Sequence, residues 1–376
     1  MKKVLLVATV QSHIAQFHKP LIDLLHDKGC IVHIAAKNNL AEKNGLSLGT
    51  VEKVFDVPFS RSPFSSKNIK ALKELKRIIN QTDYDVIHCN TPVGGILTRW
   101  AARKKRKQGR CKVIYEAHGF HFFKGAPKKN WLLWYPIEKH FSRYTDSLIV
   151  INKMDFDLAS KKFKAKNVAR IPGVGVNLKQ FHETDGTENF RKVYDLAEDD
   201  KIVLSVGELN KNKNHQAIIR AISILDDKKV HYFLAGNGPL RNELEQLSEK
   251  LGVKDQIHFL GYRRDLITFY QNADIFVFPS LREGLGMASI EAMSFGLPLI
   301  TSNRHGINDY SENGISGFKY NPNDYQGFAE GIKKVLYDEN LKREMGLHNQ
   351  AKAQEFTLEA SLERINQIYT ELWERV

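Results

Sequence analysis

Glu283 and Glu291 bracket a short stretch, Gly284-Leu285-Gly286-Met287, whose composition suits an anion. Before it, Ile275–Phe278 is an apolar, β-branched and aromatic run that reads as a buried parallel strand. After it, Met287–Ser294 has helix-forming composition, and Gly296-Leu297-Pro298 stops it before a second apolar run at Leu299–Ser302. Strand, glycine-bearing loop, helix, strand is one turn of a doubly wound sheet, and ligands of such sheets sit beyond the carboxyl ends of the strands. The glycines let backbone approach a ligand and the new helix aims free N–H groups at it, which suits a diphosphate. The two carboxylates offer a different chemistry there: they accept hydrogen bonds from hydroxyls, such as those of a ribose or a sugar. An isolated pair at this spacing also has a plainer reading, with Glu283 as a loop acid near a helix N-terminus and Glu291 on a solvated helix face.

Other loops at strand ends carry candidate groups. Ile202–Val206 reads as a strand followed by Gly207-Glu208-Leu209-Asn210-Lys211-Asn212-Lys213-Asn214-His215 and a helix to about Leu225. A lysine in a strand-to-helix loop is well placed to hold phosphate, and Lys213 stands there. Val230–Ala235 ends in the turn Gly236-Asn237-Gly238-Pro239, and Ile257–Leu260 ends in Gly261-Tyr262-Arg263-Arg264-Asp265. Cys111–Ala117 ends in His118-Gly119-Phe120-His121-Phe122, a position for a ligand group, although a buried structural histidine is the alternative for both His118 and His121. His13 lies in the loop Gln11–Gln16 after the first strand, Val4–Val10, and is either a ligand-facing or an exposed histidine. Asp83-Tyr84-Asp85 has the D-x-D form of metal-dependent sugar transferases but sits where acids mark a turn, and no metal is expected.

These groups need a scaffold of about two domains, which 376 residues supply. With 42% apolar and 26% charged residues the chain has a globular composition, and three cysteines, Cys30, Cys89 and Cys111, fit a reducing compartment better than a disulfide framework. The short run Val4–Val10 reads as a strand rather than a signal peptide, and no uninterrupted apolar stretch is long enough to span a bilayer. Along the first half, a helix is expected over about Phe17–Lys28, strands at Val32–Ala36, Val51–Val57, Val86–Cys89, Leu148–Ile151 and Val168–Ile171, and helices at Val93–Lys107 and Ser66–Asn80. The last of these has Ile69, Leu72, Leu75, Ile78 and Ile79 on its apolar side. The opening β-α-β unit lacks G-x-G-x-x-G, so no dinucleotide is indicated. Pro172-Gly173-Val174-Gly175-Val176 breaks the periodicity and residues 184–200 turn polar and acidic, which sets the boundary between domains 1–172 and 173–357. Gly314–Tyr320 reads as a turn and strand, Asp324–Leu336 as a helix, and about Leu358–Val376 as the last helix.

Charge divides unevenly. Residues 1–172 hold 32 Lys and Arg against 13 Asp and Glu, although the whole chain is only +13. A basic half faces something anionic, nucleic acid or lipid. Arg103-Lys104-Lys105-Arg106-Lys107 exceeds what a helix dipole needs, yet lacks the interleaved aromatics of a nucleic-acid groove, so no nucleic acid is expected. Lys128 and Lys129 followed by Trp131, Leu132, Trp134 and Tyr135 have the composition of a membrane-surface patch, lysines meeting anionic lipid and aromatics at the headgroup level. Packing of the aromatics into the domain is the alternative.

The string from Ser280 to Pro298 resembles the donor-binding segment of the retaining GT-B glycosyltransferases of family 4, S-x-x-E-G-x-G-x-x-x-x-E-A-x-x-x-G-x-P. Ala8-Thr9-Val10, His88-Cys89-Asn90-Thr91-Pro92 and Ala117-His118-Gly119-Phe120-His121-Phe122 narrow the resemblance to the bacterial exopolysaccharide and capsule transferases of the EpsD type. It covers nearly the whole chain. The resemblance implies an α/β GT-B fold, two Rossmann-like doubly wound domains facing a cleft, with 358–376 crossing back onto the first. It implies retaining transfer from a nucleotide sugar, a UDP-sugar in first place, to a polyprenyl-diphosphate-linked saccharide at the inner leaflet, by a peripheral enzyme on the cytoplasmic face of the membrane. No cofactor, metal or covalent intermediate is implied. Carried over residue by residue, Lys213 and the Gly284, Leu285, Gly286 and Met287 backbone hold the diphosphate, Glu291 the ribose, and Glu283 and His118 the donor sugar. Gly207, Asn210 and Gly236 line the nucleotide, Tyr262 and Arg263 flank its base, and His13 and His121 face the acceptor. Glu208 replaces the family's arginine, and Lys211 or Arg282 is the candidate substitute. Rival readings are a non-catalytic scaffold or nucleic-acid binder on the same fold, and a nucleotide-sugar epimerase.

Overall fold

The computed structural model describes residues 1–42, 45–178 and 190–374. The chain separates into two compact units, Met1–Val174 with Glu359–Val376, and Gly175–Leu358. The acidic stretch 184–200 lies outside the described residues as far as residue 189; Phe190–Val193 then forms a single helical turn.

In the first unit, strands β1 (Lys3–Val10), β2 (Ile31–Lys37), β3 (Lys53–Asp56), β4 (Val86–Asn90), β5 (Lys112–Ala117), β6 (Ser147–Val150) and β7 (Asn167–Arg170) form one parallel sheet in the order β3-β2-β1-β4-β5-β6-β7. In the second, β8 (Lys201–Val206), β9 (Val230–Ala235), β10 (Ile257–Gly261), β11 (Ile275–Phe278), β12 (Leu299–Ser302) and β13 (Gly317–Tyr320) form another, in the order β10-β9-β8-β11-β12-β13. The apolar runs become central strands because helices cover both faces: β4, β6, β11 and β12 are buried at every position. Leu5, Val7, Ile87 and Tyr115 anchor one core, and Val203, Leu234, Ile275, Val277 and Ile300 the other. Each unit is therefore a Rossmann-like doubly wound layer, the GT-B domain plan.

Local chemistry sets the ends. Asn152, Asp324 and Asp338 cap their helices by accepting a backbone N–H three residues on. The expected loop Gln11–Gln16 is instead a helix, Gln11–Phe17, entered directly from β1. It breaks at His18 and restarts as Lys19–Asp27, because Pro20 has no N–H to donate and constrains the residue before it. In the helix Lys67–Gln81 the inward stripe is Asn68, Ala71, Leu75, Ile78 and Ile79, so Ile69, expected on the apolar side, is 62% exposed. Buried Asn68 accepts from the Ser60 N–H at 2.9 Å and donates to the Ser62 carbonyl at 2.8 Å, which ties down the loop carrying Arg61.

A buried polar network braces the first unit. Arg99, on the helix Pro92–Lys107, meets Glu138, on the helix Lys128–Ser142, at 2.7 Å, with both side chains under 4% exposed. Arg99 also donates to the Gly95 carbonyl and covers the Tyr115 ring at 3.9 Å, while Tyr115 donates to Glu138 at 3.1 Å. The last helix, Leu358–Glu374, adds to the same unit: Ser361 donates to the Gly173 carbonyl and Tyr369 bonds His88 at 2.9 Å. Replacing Glu138 with alanine strands the Arg99 guanidinium in the core; the expected loss is about 3–5 kcal/mol, read as an earlier denaturant midpoint for the first unit's transition, whereas a change within experimental error would show that the pair bears no structural weight.

Candidate active site

In a doubly wound sheet the helical connections change face at one point, and the loops on either side of it part to leave a crevice. The second unit has its switch between β8 and β11. The loop after β8 carries Lys213 and the loop after β11 carries Glu283, and the two meet there with Lys213 Nζ 2.8 Å from Glu283 Oε1. Lys213 also lies over the Phe278 ring at 4.5 Å, so its stem is held by apolar contact while its charge stays at the edge. Its backbone N–H donates to Asn210 Oδ1 at 3.0 Å, and Asn210 Nδ2 donates to Glu208 at 2.9 Å. Glu208, where the family carries arginine, thus shapes the loop through Asn210. Lys211 is exposed at the same loop.

The helix Met287–Ser294 begins at this edge. Gly286 precedes it with φ +97°, and a Cβ there would lie 2.7 Å from the Phe278 ring and 2.9 Å from the Tyr310 hydroxyl. Only glycine fits both the conformation and the space. The helix N-terminus adjoins this loop, and the first N–H groups of a helix have the polarity that attracts an anion. Glu291, a turn farther on, accepts from the Tyr270 phenol at 2.8 Å, and burial pushes its carboxyl above the usual 4.5. It is therefore no solvated helix acid. Gly236 packs against the same edge: a Cβ would fall 1.9 Å from the Gly207 carbonyl oxygen. Tyr262 is 64% exposed just past β10, and Arg263 is committed to Asp265 and to the Phe269 ring at 5.2 Å.

The first unit has its switch between β1 and β4. A cavity of about 390 Å³ opens there, lined by Thr9, Ser12, His13, Arg61, Thr91, His121 and Trp134 among others. Thr91 sits at φ 63°, ψ 148°, a conformation a β-branched residue rarely takes. Its hydroxyl is 2.7 Å from the Thr9 hydroxyl and accepts the Thr9 N–H at 3.1 Å, locking β1 to β4 at the cavity floor. His121 stacks on Trp134 with ring centres 5.1 Å apart. His118 is not on the cavity wall but beside it, its ring 5.1 Å from that of His13. Its Nε2 is 2.7 Å from Glu116, which also meets His88 at 3.1 Å. Burial alone would raise the Glu116 carboxyl; its imidazole partners hold it well below the usual range. Burial also keeps His13 and His18 neutral, lowering His18 to about 3.

Some sequence expectations are corrected. Trp131, Trp134 and Tyr135, read as membrane anchors, pack inward: the helix Lys128–Ser142 needs an apolar stripe, and these residues at helical spacing supply it. Trp131 donates to the Phe123 carbonyl, and Tyr135 packs on Phe122. Lys128, Lys129 and Leu132 remain exposed, Leu132 by 79%. The basic run is partly structural, with Lys105 bonded to Asp83 at 2.8 Å, Arg106 to Asp146 at 2.8 Å and Arg103 over Trp100. Asp83 also meets Arg110, and Asp85 accepts the Lys3 N–H, so both acids of the D-x-D turn have partners. Sequence reasoning missed Glu116, His18, Tyr270, Arg61 and Thr91. Glu116 had a signal, near the carboxyl end of a strand and two residues before His118; the Thr91 backbone had none.

Comparison with known proteins identifies the family. The family described as glycosyl transferases group 1 matches residues 186–353, and glycosyl transferase 4-like matches residues 3–152. EpsD of Bacillus subtilis (strain 168), a glycosyltransferase by its name, is 37% identical over 98% of this chain and 96% of its own. The UDP-Gal:alpha-D-GlcNAc-diphosphoundecaprenol alpha-1,3-galactosyltransferase of Escherichia coli is 29% identical over 73% of this chain and 72% of its own. HepE of Anabaena, solved in complex with UDP and glucose, has the same fold, with a TM-score of 0.78 at 19% identity over 99% of this chain and 100% of its own. The chain belongs to the group 1, family 4-like glycosyltransferases with the GT-B fold.

Proposed function

We propose that this glycosyltransferase moves a sugar from a UDP-sugar, with retention of anomeric configuration, to a lipid-linked saccharide in the assembly of a capsule or exopolysaccharide. The observation that carries the donor assignment is the meeting of Lys213 and Glu283 at 2.8 Å across the β8/β11 switch, at the start of the helix that bears Glu291. The ion pair holds both groups at this edge. When a donor enters, Lys213 turns to the diphosphate together with the backbone N–H groups around Gly286, and Glu283 is released to accept from the sugar hydroxyls. Charge on the leaving diphosphate is then met by preorganised donors in place of a metal ion. Glu291, held by Tyr270, accepts from the ribose. The acceptor hydroxyl attacks on the face from which the diphosphate departs and gives its proton to that leaving group, so no protein nucleophile and no covalent intermediate are required.

Support for UDP and for a lipid-linked acceptor comes from the names of the relatives: the Escherichia coli enzyme uses UDP-Gal and a diphosphoundecaprenol-linked sugar, and HepE was solved with UDP. The cavity beside Thr91, with Arg61 and the stacked His121 and Trp134, is assigned to the acceptor, since a cation and an aromatic face suit a sugar carried on a diphosphate. No helix among the described residues is long and apolar enough to cross a membrane. Exposed Lys128, Lys129 and Leu132, and the basic excess of residues 1–172, support peripheral contact with anionic lipid of the inner leaflet.

Two measurements check the donor site. UDP at 100 times its Kd should stabilise the protein by about 2.7 kcal/mol, with an increment unchanged by EDTA, and Lys213→Ala should weaken UDP about 10-fold or more through loss of a charge-assisted bond; equal UDP affinity in Lys213→Ala contradicts the phosphate role. Glu291 adds a pH signature. Ribose hydroxyls favour its ionised form while burial favours the neutral one, so UDP affinity should rise with pH above 4.5 until Glu291 is fully ionised. Glu291→Gln should bind UDP more weakly and lose that rise; a wild-type pH profile in the variant excludes the ribose assignment.

A further inference from the structure

Among the described residues, His13, His18 and His118 each offer one ring nitrogen, and the three nitrogens lie within 4.8 Å of one another. They come from three places: the helix Gln11–Phe17, the break at His18, and the loop after β5. Ring centres are 5.3 Å apart for His13 and His18, 5.1 Å for His13 and His118, and 5.7 Å for His18 and His118. A tetrahedral ion bound by three imidazoles at about 2.0–2.1 Å places their ring centres about 5 Å apart. The Nε2 atoms of His13 and His18 are buried and make no hydrogen bond. Two buried imidazole nitrogens without partners, on rings that belong to one cluster, are an unsatisfied demand that a metal ion would meet.

The surroundings complete the pattern. Glu116 is 1% exposed and holds His118 through Nε2, which leaves Nδ1 as the nitrogen that this ring can offer an ion. A carboxylate behind a ligating histidine fixes its tautomer and raises its basicity. The same carboxylate bonds His88, which Tyr369 holds from the other side. A buried carboxylate among imidazoles calls for a compensating cation, and among the described residues neither Lys nor Arg forms an ion pair with Glu116.

We propose that His13, His18 and His118 form a site for a divalent transition-metal ion of the zinc type, with Glu116 as its supporting carboxylate and a fourth position open to water or an acceptor oxygen beside the cavity at Thr91. Imidazole donors suit zinc, cobalt and nickel and disfavour magnesium or calcium. Three protein ligands with one open position are the arrangement of a reactive rather than a purely structural site. The proposal places His118 on the ion in place of the donor-sugar contact that the family resemblance implies for it, and it does not depend on the diphosphate assignment.

The test uses the full chain, stripped with a chelator and titrated with Co²⁺ as a spectroscopic probe and Zn²⁺ by calorimetry. Expected are one Co²⁺ per chain with the visible absorption of a tetrahedral ion, its displacement by one equivalent of Zn²⁺, and loss of both in His13→Ala and in His18→Ala. Glu116→Gln should weaken Zn²⁺ by about 10- to 100-fold, and His140→Ala, an exposed histidine elsewhere on the unit, should leave it unchanged. Circular dichroism and the UDP-induced thermal shift, which reports the second unit, show whether each variant is folded. Wild-type protein that takes up no stoichiometric Co²⁺ or Zn²⁺ overturns the proposal whatever the variants do, and so do folded His13→Ala and His18→Ala proteins that bind Zn²⁺ as wild type does.

Discussion

A parallel sheet sends every loop that follows a strand out at the same edge, and its helices must lie on both faces. Where the connections change face, two neighbouring loops diverge and cannot fill the space between them. That constraint places the chemistry in both halves of this chain. In the second unit it brings the loop after β8 against the loop after β11, so residues seventy positions apart, Lys213 and Glu283, meet at one point. In the first unit it opens the cavity between β1 and β4, floored by the paired hydroxyls of Thr9 and Thr91. Neither site requires a special scaffold; each uses the one gap that the strand order leaves.

What differs is how each gap is held. The β8/β11 edge is set by close backbone approach, with glycine where a side chain would collide, and by an ion pair that is only partly buried. Such a pair is screened and exchangeable, a property suited to groups that must change partners when a ligand arrives. The first unit is held more rigidly. Arg99, Glu138 and Tyr115 form a dry network under one side of the sheet, and Glu116, His88 and Tyr369 another. Dry polar networks fix geometry because leaving any member unpaired is costly. The strained Thr91 backbone persists within that rigid frame.

Most strands of the second unit, and the loops that meet at its β8/β11 edge, were legible because parallel strands buried on both faces read as continuous apolar runs, and their loops carry glycine, proline and lysine in a distinctive order. The first unit was harder for two physical reasons. Its first helix starts without a loop, since Gln11 and Ser12 are buried polar residues, with Ser12 paired to Asn39, and polar residues after a strand read as a turn. Its aromatic helix has the same composition whether it faces lipid or core; the inward stripe of Trp131, Trp134 and Tyr135 is settled by packing, which composition does not encode. The histidine cluster was visible only in part. His13, His118 and His121 stood out, but their grouping with His18 and Glu116 depends on a helix break and on neighbouring strands.

The central claim is that the β8/β11 edge binds the nucleotide, and a crystal structure of the protein with UDP tests it most directly. The account predicts the diphosphate at the N-terminus of the helix Met287–Ser294, within hydrogen-bond reach of Lys213 Nζ, with the Lys213–Glu283 contact opened and the ribose on Glu291. UDP lodged in the cavity beside Thr91, or bound elsewhere with Lys213 still on Glu283, would contradict it.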